Sequence, residues 1–258
     1  MPARFRDRID AGRRLAAELT EYANDPDVRV FALPRGGVPV AYEVARALRA
    51  PLDVFIVRKL GLPWHEELAM GAIASGGVVV LDRSLVRRAG VSDAQVQRVV
   101  ETERRELERR ERLYRGDRPL PEIAGRTVIL VDDGLATGAT MRAAVEAVKQ
   151  EGPKHVIVAV PIAAPETCEA FRDLVDETVC AVTPERLRAV GLWYDDFTQT
   201  TDEEVHELLE RAGAWVETPA VRQPLAAEPS GVPAGGATGR SVERNVAEGP
   251  WTGRRRQP

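Results

Sequence analysis

The segment Val128-Ile129-Leu130-Val131-Asp132-Asp133-Gly134-Leu135-Ala136-Thr137-Gly138-Ala139-Thr140 holds the densest chemistry in the chain. A β-branched run ends in two carboxylates, passes through a loop of small and hydroxyl residues, and enters a helical pattern. Such a loop points several backbone N–H groups at one spot, where the helix dipole also favours an anion. Thr137 and Thr140 add hydroxyl donors, and Gly138 lets the backbone pass close to a phosphate. Carboxylates beside a phosphate cradle would repel the ligand unless it also brings hydroxyl donors or a metal ion. A phosphorylated sugar answers both halves, with Asp132 and Asp133 on its hydroxyls and Leu135, Ala136, Thr137, Gly138, Ala139 and Thr140 around its phosphate. The plainer alternative is a strand–turn–helix with two exposed acids, and the length of the arrangement weighs against it.

Two further segments concentrate positive charge. Val28–Leu33 ends in Pro34-Arg35-Gly36-Gly37-Val38-Pro39, where paired glycines and an arginine offer backbone donors and a fixed cation. Leu52–Val57 ends in Arg58-Lys59. Each alone is weak: the first could be a structural turn and the second ordinary surface. In an open parallel sheet, however, ligands bind outside the carboxyl ends of the strands. Three such loops are therefore expected to open onto one edge. A ribose with a phosphate at one end and a diphosphate at the other, 5-phosphoribosyl-1-diphosphate, fits that set.

The elements that must position these residues follow from the pattern of apolar residues. Strands are expected at Val28–Leu33, Leu52–Val57, Val78–Leu81, Thr127–Val131, His155–Val160 and Thr178–Val182. Continuous apolar runs of this length, separated by helices, indicate strands buried on both faces of a parallel sheet. Helices are expected at about 10–23, 38–49, 92–115, 139–151, 166–173 and 202–212. The fold class is α/β, one mostly parallel, doubly wound sheet. The 92–115 helix opens with a Ser92/Gln95 capping box and carries a narrow apolar seam, Val96, Val100, Leu107 and Tyr114, on a charged surface. The seam could be a dimer contact, a flap over the site, or packing against its own domain.

Composition excludes several classes. The 258 residues suffice for one substantial domain, expected at 1–218. Residues 219–258 are rich in Pro, Gly, Ala, Ser and Arg and are expected to be disordered, with Arg254-Arg255-Arg256 solvated or an interaction tag. No apolar stretch approaches the roughly 20 residues of a membrane span, and the first residues lack the apolar core of a signal peptide. Two cysteines, Cys168 and Cys180, are too few for a disulfide framework and suit a reducing cytoplasm. His65, His155 and His206 have no metal-ligand spacing. The net charge is −4, and the tail carries six arginines against three acids, leaving about −7 on the rest. An acidic body argues against a large nucleic-acid footprint.

The motif V-I-L-V-D-D-G-L-A-T-G-A-T resembles the signature of type I phosphoribosyltransferases, and P-R-G-G resembles their diphosphate loop. The resemblance runs from about Phe5 to Ala212 and is nearest to a bacterial group of unassigned acceptor. It implies that Asp132 and Asp133 hold the ribose 2- and 3-hydroxyls, that Ala136–Thr140 wrap the 5-phosphate, and that Arg35 and Gly36, with Gly37, bind the diphosphate. It also implies a cis Pro34–Arg35 peptide. The reaction implied is displacement at the anomeric carbon through an oxocarbenium-like transition state. Mg²⁺, held by the substrate's own oxygens and water, neutralises the departing diphosphate together with Arg35, Lys59 and Arg58. Purine-using relatives carry an acid where this chain has Ala136, which makes a hypoxanthine- or guanine-type acceptor less expected.

By the same resemblance, Gly61 to Gly71 would be a mobile cover, with His65, Glu66 and Glu67 as proton acceptors or, for the histidine, a bystander. A hood over the acceptor would include 183–200, with Tyr194 the best ring contact and Trp193 and Phe197 either hood or core. A homodimer, a small nitrogenous acceptor and a cytoplasmic enzyme complete the expectation. The rival is a non-catalytic regulator that binds the same diphosphate.

Overall fold

The computed structural model describes residues 4–216. The chain begins with α1 (Arg8–Ala17), β1 (Val28–Ala32), α2 (Gly37–Leu48) and β2 (Leu52–Val54). Next come β3 (Val57–Leu62), β4 (His65–Ala74), β5 (Val79–Leu81), α3 (Arg83–Arg88) and α4 (Asp93–Arg115). It continues through β6 (Thr127–Val131), α5 (Ala139–Gln150), β7 (His155–Ile162), α6 (Pro165–Arg172), β8 (Glu177–Val182) and α7 (Asp202–Val216). Five strands form a parallel sheet in the order β2-β1-β6-β7-β8. The α/β, mostly parallel fold class read from the sequence is the one observed.

The strands alternate their side chains between two apolar layers, as a doubly covered sheet requires. Val30, Ala32, Ile129, Val131, Ile157 and Ala159 share one cluster with Leu15 of α1, Val38 and Val44 of α2, and Val205 and Leu209 of α7. Phe31, Val128, Leu130, Val156 and Val158 point the other way, into a cluster with Met141 and Val145 of α5 and Phe171 of α6. β1 and β6 run in register from Val28↔Thr127 to Ala32↔Val131. The segments that follow them, Leu33–Gly37 and Asp132–Thr140, therefore leave adjacent strands at the same level of one edge.

Several expectations are corrected. The single sheet is joined by a second, antiparallel one, β3-β4-β5. The Leu52–Val57 run breaks after Val54, so Arg58 and Lys59 lie inside β3 and do not form a loop at the edge of the parallel sheet. Gly61 to Gly71, expected as a loop-like cover, belongs mostly to the β3–β4 hairpin, turning at Pro63-Trp64. Its glycines mark close backbone approach: a Cβ on Gly61 would sit 2.4 Å from the Glu66 carbonyl oxygen, and one on Gly71 would sit 2.2 Å from that of Val80. A glycine inside a strand commonly signals a bulge or such an approach. The register does shift around Gly61.

Helix α4 has the expected capping box, and its seam of Val96, Val100, Leu107 and Tyr114 is buried against its own domain. The seam thus lends nothing to a dimer contact. Arg115, at its end, reaches the Asp53 carboxylate at 3.0 Å and the Val54 carbonyl, pinning α4 to β2. Cys168 and Cys180, expected as reduced thiols, are disulfide-bonded with Cα atoms 6.6 Å apart. The crossover from β7 through α6 lays the helix against β8 and brings the two together. No helix among the described residues is long and apolar enough to cross a membrane. The expected disordered tail, 219–258, lies outside the described residues.

Candidate active site

β6 is buried along its whole length and delivers Asp132 and Asp133 to the sheet edge. Each carboxylate has one oxygen engaged. Asp132 Oδ1 accepts the Asp133 N–H at 2.8 Å, and Asp133 Oδ2 accepts from Arg8 Nε at 2.9 Å and Nη2 at 2.8 Å. Asp132 Oδ2 and Asp133 Oδ1 have no partner among the described residues, and neither belongs to a fully enclosed unpaired atom. Two acceptor oxygens on consecutive residues are thus left for a ligand. Burial pushes the Asp132 carboxyl well above its ordinary 3.8, and the Asp133 charge pushes the same way. Burial raises Asp133 too, but Arg8 pulls it back. Desolvation disfavours the charged form of both, and only Asp133 has a cation in direct contact.

The Pro34-Arg35-Gly36-Gly37 turn presses on this pair. A Cβ on Gly36 would fall 2.1 Å from Asp133 Oδ2, and one on Gly37 would fall 2.8 Å from the Val131 carbonyl oxygen. Only glycine lets the two segments approach this closely. The Pro34–Arg35 peptide is cis. The N–H groups of Arg35 and Gly36 have no backbone acceptor among the described residues, whereas that of Gly37 returns to the Leu33 carbonyl. The Arg35 guanidinium points toward α7, 3.8 Å from the Asp202 carboxylate. That pair is more than a third exposed, so it restrains the side chain weakly.

Beyond the acids, the loop enters α5 through Gly138, which caps it at φ 70°. A side chain there would strike Phe171 of α6 at 2.6 Å. The Thr167 hydroxyl of α6 donates to the Ala136 carbonyl at 2.7 Å, fixing the loop from below. The N–H groups of Ala136, Thr137 and Gly138 have no backbone acceptor among the described residues. Leu135 departs from expectation. Its N–H is used by the Ile162 carbonyl and its side chain is buried, so it anchors the loop and offers no donor to a phosphate.

Thr137, Ala139 and Thr140 line a cavity of 770 Å³ with Arg58, Lys59 and Arg142. Arg58 is held by Glu103 of α4 at 2.7 Å. Lys59 is exposed, has no ion-pair partner among the described residues, and also lines a 520 Å³ cavity between the hairpin and α4. His65, Glu66 and Glu67 sit exposed on the outer part of the hairpin. The predicted residues therefore fall into two neighbouring groups joined by the 132–140 segment. One is Gly36, Gly37, Asp132 and Asp133; the other is Arg58, Lys59, Thr137, Ala139 and Thr140.

Tyr194 is not the exposed ring expected of a base contact. It is 4% exposed, packs against Phe5 and Phe197, and donates its hydroxyl to the Asp133 carbonyl at 2.6 Å. Its place is beneath the acids, as a support. The residue that sequence reasoning missed is Arg8, which meets Asp133 across 125 positions. Nothing local marks it among the neighbouring arginines of Ala3-Arg4-Phe5-Arg6-Asp7-Arg8.

Residues 4–183 match the family model of the phosphoribosyl transferase domain. Relatives from two Mycobacterium tuberculosis strains, provisionally named phosphoribosyl transferases, are each 46% identical over 208 residues. The match covers 81% of this chain and 47% of each relative, so the chain spans about half the length of these curated relatives. The crystal structure of TT1426 from Thermus thermophilus is 44% identical, with a TM-score of 0.71, over 81% of this chain and 98% of that one.

Proposed function

The chain belongs to the phosphoribosyl transferase family, and on that premise we propose that it transfers the 5-phosphoribosyl group from 5-phosphoribosyl-1-diphosphate to a nitrogenous acceptor, releasing diphosphate. The observation that carries this reading is the pair of unengaged oxygens on Asp132 and Asp133, set between two loops with free N–H groups. Vicinal ribose hydroxyls match the two oxygens. The Ala136–Thr140 loop takes the 5-phosphate, and the Arg35-Gly36-Gly37 turn at the start of α2 takes the diphosphate. Both anion sites lie where the parallel strands end, as binding crevices in such sheets do.

In this reading the substrate's two ends are fixed before the anomeric bond breaks, which removes much of the entropic part of the barrier. Positive charge is needed where the diphosphate departs, and Lys59 and Arg35 supply it. Arg58, already neutralised by Glu103, contributes mainly by holding β3 to α4. Among the described residues no three His, Cys, Asp or Glu side chains gather as an all-protein metal site. In this reading Mg²⁺ keeps several waters and leans on the substrate's own phosphates. When bound, the ion offsets charge on the leaving diphosphate.

The decisive experiment follows diphosphate release from 5-phosphoribosyl-1-diphosphate with Mg²⁺ across a panel of nucleobases and small amines. Release stimulated by one acceptor identifies the reaction. Asp133→Asn is expected to weaken binding of the diphosphate donor by more than about 1 kcal/mol, since a charge-assisted hydrogen bond contributes roughly 1.5–3 kcal/mol. Tight binding without release for any acceptor would instead make the chain a regulator that senses this ligand. Unchanged affinity in the Asn variant would remove the ribose assignment.

A further inference from the structure

Arg8 makes a set of contacts that no other side chain of the site makes. Its Nε and Nη2 both donate to Asp133 Oδ2, at 2.9 and 2.8 Å. Its Nη1 donates to the Thr198 carbonyl at 2.7 Å, and its guanidinium lies 3.9 Å from the centroid of the Phe197 ring. The Arg8 side chain is 11% exposed and that of Asp133 is 16% exposed, so the pair is largely shielded from water. One planar cation thus joins α1, the acid at the end of β6, and the late 197–198 segment. We propose that Arg8 is a positioning residue that aims Asp133 Oδ1 at the ligand and ties the 197–198 segment to that carboxylate. The inference rests on the ribose-binding reading above.

The geometry explains why a guanidinium stands there. A rigid fork fixes the carboxylate plane while leaving a third donor and a stacking face, which an ammonium cannot do at once. Both Arg8 donors converge on Oδ2, so the rotation of the Asp133 carboxylate is fixed and Oδ1 stays unengaged. The charged and titratable groups around Asp133 are Arg8 from α1, Asp132 beside it on the chain, and Tyr194 beneath it, whose hydroxyl is committed to the Asp133 carbonyl. Of these, Arg8 alone favours the ionised carboxylate. Removing it raises the pH below which Asp133 is protonated and misdirected.

The test is titration calorimetry with 5-phosphoribosyl-1-diphosphate and Mg²⁺ across a pH series, on wild type, Arg8→Gln and Arg8→Lys, with folding checked by circular dichroism. Ligand titration is common to all three, so differences between profiles report on the protein. Arg8→Gln is expected to bind roughly tenfold more weakly, with its loss of affinity on acidification displaced to higher pH. Arg8→Lys is expected to lie between that variant and wild type. A folded Arg8→Gln protein with wild-type affinity, or with weaker binding and an undisplaced profile, overturns the inference while the functional reading stands. Should the Gln variant not fold, the Lys variant decides, and wild-type affinity and profile in it overturn the inference. If wild type binds nothing at any pH, the functional reading has failed and this inference fails with it.

Discussion

The two acids of the site are consecutive in sequence and unequal in environment. Asp133 has Arg8 in direct contact, whereas Asp132 has only the Asp133 N–H and a more distant cation against desolvation and a like charge. Ionising Asp132 therefore costs the folded state. A carboxyl raised above its unfolded value contributes stability that is present below the ordinary 3.8 and lost as pH rises through the folded value. Asp132→Asn keeps an oxygen for the Asp133 N–H and removes the charge. It is expected to stabilise the ligand-free protein by about 1 kcal/mol at neutral pH, of the size seen when strained functional groups are replaced. That gain should shrink as the pH falls toward 4, while affinity for the phosphoribosyl donor drops. Urea unfolding at a series of pH values measures it, and a gain independent of pH would show that Asp132 is not held with a raised pKa. The acids and the small-residue loop were legible as residues, because their types and spacing have few other uses. Arg8 was not, because its meaning lies in a contact across 125 positions. Tyr194 misled for a related reason: an aromatic beside acids looks the same in sequence whether its ring faces a ligand or the core.

At the scale of elements, the parallel strands were legible because each is buried on both faces and reads as an unbroken apolar run. The β3–β4 hairpin was not, since Arg58, Lys59, His65, Glu66 and Glu67 interrupt any alternation and its glycines imitate loop hinges. What positions the 136–140 loop is also an element-level arrangement. α6 lies beneath it, with the fully buried Phe171 against the Gly138 position and the Thr167 hydroxyl on the Ala136 carbonyl. Phe171→Ala is expected to cost about 3–5 kcal/mol through lost burial and the cavity left behind. It should also weaken donor binding, because the loop loses its floor. Denaturant unfolding and calorimetry test the two effects separately. A destabilised protein of undiminished affinity would show that the loop holds its shape without α6.

Across the whole domain, the candidate site draws on residues 8, 35–37, 59, 132–140 and 197–198, brought together only when α1, the two central strands, the β3–β4 hairpin and the late segment are all in place. Binding should therefore report on the complete fold, with no isolated fragment carrying it. The in-register ends of β1 and β6 set the spacing between the two loops that follow them, and both apolar layers are needed to hold those strands. A ligand that binds only this folded state stabilises it by mass action, by about 2.7 kcal/mol when present at 100 times its Kd. For a domain of this size that corresponds to a rise in Tm of roughly 5–10 °C. The expected result is one transition that moves upward as a unit with 5-phosphoribosyl-1-diphosphate and Mg²⁺, and moves far less in Asp133→Asn. Thermal scans followed by both far-ultraviolet circular dichroism and tryptophan fluorescence would show it. If the two signals separated, with only one responding to ligand, the site would belong to a part of the domain that melts independently, and its dependence on both layers of the sheet would be wrong.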